Sequence, residues 1–139
     1  GIGSGKSLVC RIFQVLGTPI YDADTRARYL MEHEASLVEA IRKAFGSESY
    51  EQGKLNRTWL AARVFSQPDQ LQALNVLVHP AVAEDFQKWV RANQSAPYLI
   101  KEAALLVESG SWKELDEVVL VYCDEPTRIS RVLQRDPQR

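Results

Sequence analysis

Apolar residues along the chain recur mostly at helical spacing, and two short apolar runs interrupt that rhythm. Leu8, Val9, Ile12, Phe13 and Leu16 fall three and four apart, which predicts an amphipathic helix that Gly17 caps before Pro19. Ile20-Tyr21 is a brief strand-like run delivering Asp22-Ala23-Asp24. From Thr25 to about Gln94 the pattern is helical. Ser36-Leu37-Val38-Glu39 reads as a capping box leading through Ile41 and Phe45 to Gly46, and a loop with Gly53 follows. Trp59, Leu60, Val64 and Phe65 mark a short helix. Ser66 with Pro68 and Asp69 starts another, carrying Leu71, Leu74, Leu77 and Val78, and His79-Pro80 closes it and opens a further helix to about Asn93. Beyond it, Pro97 to Ile100 reads as a buried strand, Leu105 to Gly110 as a turn, and Val118 to Cys123 as the clearest buried parallel strand. Asp124-Glu125-Pro126 starts a last helix, with Arg128, Arg131 and Arg135 on one side and Ile129, Val132 and Leu133 opposite. Strands separated by so long a helical stretch predict an α/β core, residues 1–24 and 95–139, with residues 25–94 inserted as a helical subdomain.

Composition narrows the function classes. Seventeen Lys and Arg against 18 Asp and Glu leave a formal charge of −1 over 139 residues, so no global basic field recruits nucleic acid or an anionic membrane. No apolar run approaches a bilayer span, and a cytosolic protein is expected. Cys10 and Cys123 belong to no metal-type cluster and are expected as buried thiols, and His33 and His79 are too isolated to suggest zinc.

The chemistry lies at the start. Gly1-Ile2-Gly3-Ser4-Gly5-Lys6-Ser7 fits the phosphate-loop pattern G-x-x-x-x-G-K-[ST] from its second position onward. Glycines let successive backbone N–H groups turn inward around an anion, at φ values that a side chain resists. The helix opening near Lys6 adds its positive end, the Lys6 ammonium suits β- and γ-phosphates, and the Ser7 hydroxyl suits Mg²⁺. Asp22 and Asp24 follow at a strand's carboxyl end, the edge where α/β sheets bind ligands, although an N-capping Asp is the plainer reading of either.

GIGSGKS, YDADTRARYL, LVHPAV, AALLVESG and RISRVLQRD, in that order, resemble the dephospho-CoA kinase family across nearly the whole chain. The resemblance implies a P-loop NTPase core, a three-layer arrangement around a parallel sheet, with a helical CoA-binding insertion and a lid. It implies ATP and Mg²⁺ as cofactors and dephospho-CoA as acceptor, phosphorylated on its ribose 3′-hydroxyl in the last step of coenzyme A synthesis, by an enzyme expected to be a monomer. Residue by residue, it makes Gly3, Ser4, Gly5, Lys6, Ser7 and Leu8 the ATP loop, Asp24 the catalytic carboxylate, Asp22 its neighbour, and Ser7 with Asp24 the metal site. Arg131 and Arg135 match arginines that contact ATP phosphates; His79, Leu106 and Glu108 match positions on the acceptor side. Ala104 stands where many members have Pro, and Leu8 where Thr is common. The family also has a strand before the loop and a lid after Arg135-Asp136, so the sequence reads as a fragment lacking both ends, expected to be molten or inactive by itself. Another small-metabolite P-loop kinase and a non-catalytic nucleotide-binding module are the alternatives.

Overall fold

The computed structural model describes residues 2–65 and 67–136, and the readings placed on Gly1 and Ser66 lie outside them. The chain divides into two units, residues 1–21 with 95–139, and residues 22–94.

The first unit is built on α1 (Lys6–Val15), β1 (Ile20–Asp22, whose last residue already belongs to the second unit), β4 (Ile100–Glu102) and α6 (Glu125–Arg135). Helix α1 ends as its sequence predicts. Gly17 takes φ 88°, its N–H bonds the Gln14 carbonyl, and the Thr18 N–H reaches Phe13, the paired bonds of a Schellman cap. β1 and β4 lie side by side as a parallel pair, and the Ile100 N–H donates to the Pro19 carbonyl at 3.1 Å. Helix α6 starts where expected, with Asp124 accepting from the Thr127 N–H at 3.0 Å.

Two expectations for this unit need correction. The strand predicted at Pro97 to Ile100 sits later, at Ile100–Glu102, so Lys101 and Glu102 belong to it and Tyr98 is half-exposed. The Val118–Cys123 run forms no strand at all: it lies between a 3₁₀ turn at Ser111–Glu114 and α6, with Val119, Leu120 and Tyr122 each at least 80% exposed. An apolar run states what a segment would bury, but a buried parallel strand also needs paired neighbours, and no described residue supplies this run with a ladder. The apolar side of α6 is likewise uncovered at Ile129 and Leu133.

The second unit holds α2 (Ala23–His33), α3 (Ala35–Phe45), β2 (Tyr50–Glu51), β3 (Lys54–Leu55), α4 (Arg57–Phe65) and α5 (Pro68–Ala92). Its core joins Leu30, Leu37, Ile41, Phe45, Tyr50, Leu55, Leu60, Val64 and Val78, to which every element of the unit contributes. Phe65, expected on the buried face, is exposed. β2 and β3 pair antiparallel about Gln52-Gly53, whose φ values of 49° and 81° fit the twist of a two-residue hairpin turn. The predicted capping box does not form. Helix α3 starts after Glu34, one residue past the end of α2, and Ser36, already in its first turn, turns its hydroxyl back to the Glu34 carboxylate at 3.0 Å.

Pro80 also departs from expectation, because it lies inside one 25-residue helix and opens no new one. A proline there forfeits the bond to the carbonyl four residues back. That carbonyl belongs to Val76; Val76 and Pro80 are both exposed, so water can satisfy it, while Val78 and Phe86 on either side are buried. Packing on both flanks therefore carries the helix through the break.

Candidate active site

Gly3 and Gly5 adopt φ values of 79° and 97°, the left-handed region that side chains resist. Gly5 caps α1, its carbonyl accepting from the N–H groups of Leu8 at 3.0 Å and Val9 at 3.1 Å. Gly3 is small for a second reason: a Cβ there would lie 2.7 Å from the Arg128 carbonyl oxygen, because the loop rests directly on α6. Within the loop Ser4 is buried, and Leu8 after it is exposed. The loop thus aims the first turn of α1, with its positive dipole end, at whatever the loop encloses.

Lys6, Ser7 and Cys10 fall at i, i+1 and i+4 on α1, and all three turn toward one carboxylate from β4. Glu102 Oε1 pairs with the Lys6 ammonium and accepts from the Ser7 hydroxyl at 3.0 Å. Burial pushes the Glu102 pKa up, but hydrogen bonds from Lys6 and Ser7, the charge of Lys6 and a hydrogen bond from Cys10 outweigh it, holding the carboxyl below its ordinary value. Its strand neighbour Lys101 is lowered chiefly by burial, against the opposing charge of Glu114. Glu102 is the residue sequence reading missed. The signal was a charged pair, Lys101-Glu102, which the expected bounds of the strand left just past its end. The thiols differ from expectation as well, since Cys10 and Cys123 are each only partly buried.

Helix α6 brings two predicted arginines to the loop. Arg131 Nη1 donates to the Gly3 carbonyl at 3.3 Å and reaches Cys123 Sγ at 3.5 Å. Arg131 and Arg135 line, with residues 2–8 of the loop, Leu106 and Glu108, a cleft of about 780 Å³ whose remaining wall includes Val118 to Val121. Arg128 lies outside the cleft lining; its Nε is buried with no partner among the described residues. The Thr127 amide and hydroxyl bonds, ahead of the charge of Arg131, hold Asp124 below the ordinary carboxylate range.

The other predicted residues belong to the helical unit. Asp22 caps α2, accepting from the Thr25 N–H at 3.1 Å and the Thr25 hydroxyl at 2.7 Å. Asp24 stands in the first turn of that helix, so the strand alternation that would set the two carboxylates on one side ends at Asp22. His79 is exposed midway along α5.

A glycine loop opening a helix, a lysine and serine in that helix's first turn, and arginines from a second helix define a protein that handles phosphate groups of nucleotides. The chain belongs to the dephospho-CoA kinase family, whose profile, CoaE, matches residues 1–138. Members are kinases whose phosphorylation of dephospho-CoA completes coenzyme A synthesis. The chain is 41% identical over 136 residues to the dephospho-CoA kinase of Porphyromonas gingivalis, with 98% of this chain and 67% of that protein covered. It is 39% identical over 142 residues to that of Chlorobaculum tepidum, covering 97% and 68%. The crystal structure of TT1252 from Thermus thermophilus superposes with a TM-score of 0.87 at 33% identity, over 100% of this chain and 70% of that one. The chain therefore spans about two thirds of the length of these relatives.

Proposed function

We propose that the cleft over the glycine loop takes the triphosphate of ATP and that the chain's residues move the γ-phosphoryl group to the 3′-hydroxyl of dephospho-CoA. The observation that carries this is the convergence of Lys6, Ser7, Arg131 and Arg135 on one cleft, also lined by Leu106 and Glu108. The loop amides and Lys6 hold the β- and γ-phosphates. Arg131 and Arg135 offset charge that spreads over the transferred group in a loose transition state. Asp24 orients the ribose hydroxyl and takes its proton as the oxygen–phosphorus bond forms and the bond to ADP breaks. His79, Leu106 and Glu108 serve the acceptor, and the helical unit, residues 22–94, recognises its CoA portion.

The residues fit Mg²⁺. Ser7 Oγ and Glu102 Oε1 converge within 3.0 Å, offering hard oxygen donors, and Asp24 is the further carboxylate that the family resemblance assigns. An ion of this kind is held by one or two protein oxygens together with substrate phosphates. When bound, the ion would neutralise charge on the β- and γ-oxygens. The same reading takes the first unit as a P-loop NTPase core of three layers, in a monomeric, cytosolic enzyme; no helix among the described residues is long and apolar enough to cross a membrane.

Calorimetric titration with Mg-ATP and then dephospho-CoA tests the assignment, since a kinase binds both and a bare nucleotide module only the first. Lys6→Ala is expected to abolish ADP release in a coupled assay. Turnover by folded Lys6→Ala protein would remove the loop from the mechanism.

A further inference from the structure

The two groups that the loop offers to a phosphate and its cation already share a partner. The Lys6 ammonium and the Ser7 hydroxyl both donate to the same oxygen of Glu102. That carboxylate comes from a strand 96 residues further along the chain, and its side chain is 11% exposed against 37% for Lys6. The charged end of the loop therefore has a protein carboxylate of its own beside it.

Two anions contend for one ammonium when a phosphate enters. A phosphate oxygen that reaches Lys6 comes to lie beside the Glu102 carboxylate, and like charges at that range, in a partly desolvated cleft, repel strongly. Bare polyphosphate must then either leave Glu102 without its ammonium or share it. A divalent cation changes the sign of the encounter, because the carboxylate and the phosphate oxygens are both drawn to it.

We propose that Glu102 is a counter-ion that makes the loop select the cation-bound nucleotide, by occupying Lys6 and Ser7 until phosphate and divalent cation are present together. It rests on the phosphate-binding reading of the loop given above. Glu102 is here a specificity-determining residue, and the effect lies in the comparison of free with cation-bound nucleotide more than in the affinity for either.

The test is equilibrium binding of ATP, by calorimetry, to the wild-type chain and to Glu102→Gln, each with Mg²⁺ and with the metal chelated. Glutamine keeps the shape and an acceptor oxygen but no charge. Wild-type protein is expected to lose at least about tenfold in ATP affinity without Mg²⁺, a difference of about 1.4 kcal/mol. In Glu102→Gln the ratio should narrow to about threefold or less, because metal-free ATP binds more tightly. If the ratio narrows only because Mg-ATP binds more weakly, Glu102 merely holds the cation and the proposal fails, as it does if the ratio is unchanged. Glu102→Asp withdraws the charge from Lys6 while keeping a carboxylate, and serves if the glutamine variant gives no native thermal transition. It too should bind metal-free ATP more tightly than wild type, and equal affinity would overturn the proposal. Wild-type protein that binds ATP under neither condition would defeat the loop reading and this inference together, an outcome distinct from intact binding without selectivity.

Discussion

Gly3 carries two constraints at once, a positive φ and a backbone contact. Gly3→Ala is expected to cost stability on the order of 1–3 kcal/mol from the left-handed conformation alone, before the 2.7 Å approach to the Arg128 carbonyl is relieved by moving α6. Thermal denaturation should show the loss, and Mg-ATP titration should show binding weakened beyond what the melt explains. Asp124 supports a pH prediction. Its folded pKa lies below the unfolded value of about 3.9, so the cap it gives α6 is fully present above that pH and is lost as pH falls through the folded value. Hydrogen exchange at the Thr127 amide should rise in acid faster than intrinsic exchange predicts. Asp124→Asn, still a good N-cap, should remove that extra acid dependence.

At the scale of elements, what was legible in the sequence followed from what each signal measures. Helices α1, α3, α4 and α6 announced themselves because a 3.6-residue period is a local property, and the caps of α1 and α6 were legible for the same reason, whereas the box expected at Ser36 did not form. The strands did not, because three residues carry too little alternation to set a register, and β4 includes a lysine and a glutamate that its neighbours make useful. The hairpin about Gln52-Gly53 was readable only as a loop, since two-residue strands give no period. At the site, the loop was readable from its motif and the two arginines only through the family resemblance, since their spacing alone fits a solvated helix face, while Glu102 depended on where the strand ends. Helix α5 gives an element-scale prediction: Pro80→Ala restores a hydrogen bond to Val76 and should raise stability by up to about 3 kcal/mol in thermal or urea unfolding. His79→Ala, beside it, should instead raise the KM for dephospho-CoA more than that for ATP, and the reverse pattern would reassign the acceptor side. Tyr50 links two elements through a 2.5 Å bond from its hydroxyl to the Met31 carbonyl. Burial, with Glu32 adding and Arg42 opposing, pushes its pKa up to about 12. The stability this represents is whole below about pH 10 and disappears as pH rises through about 12, so Tyr50→Phe should flatten the alkaline unfolding curve in that window.

Across the whole molecule, burial is unequally distributed. The core cluster belongs to residues 22–94, whereas α1 and α6 have no buried residue and Val118, Val119, Leu120 and Tyr122 are exposed. Protection from hydrogen exchange should follow that division, strongest at Ile41, Phe45 and Leu60 and weakest from Leu115 to Cys123. Slow exchange in the latter stretch would show that the apolar run finds a partner in solution. The Lys6–Glu102 pair has a consequence in time as well as in space. Its two members are separated by 96 residues, and closing an open chain of that length costs about 4 kcal/mol beyond a constant. Everything in the helical unit lies between them, as one uninterrupted segment that a growing chain completes before Glu102 is made. The order of synthesis therefore favours folding the helices first, which shortens the gap that remains before Lys6 and Glu102 can pair.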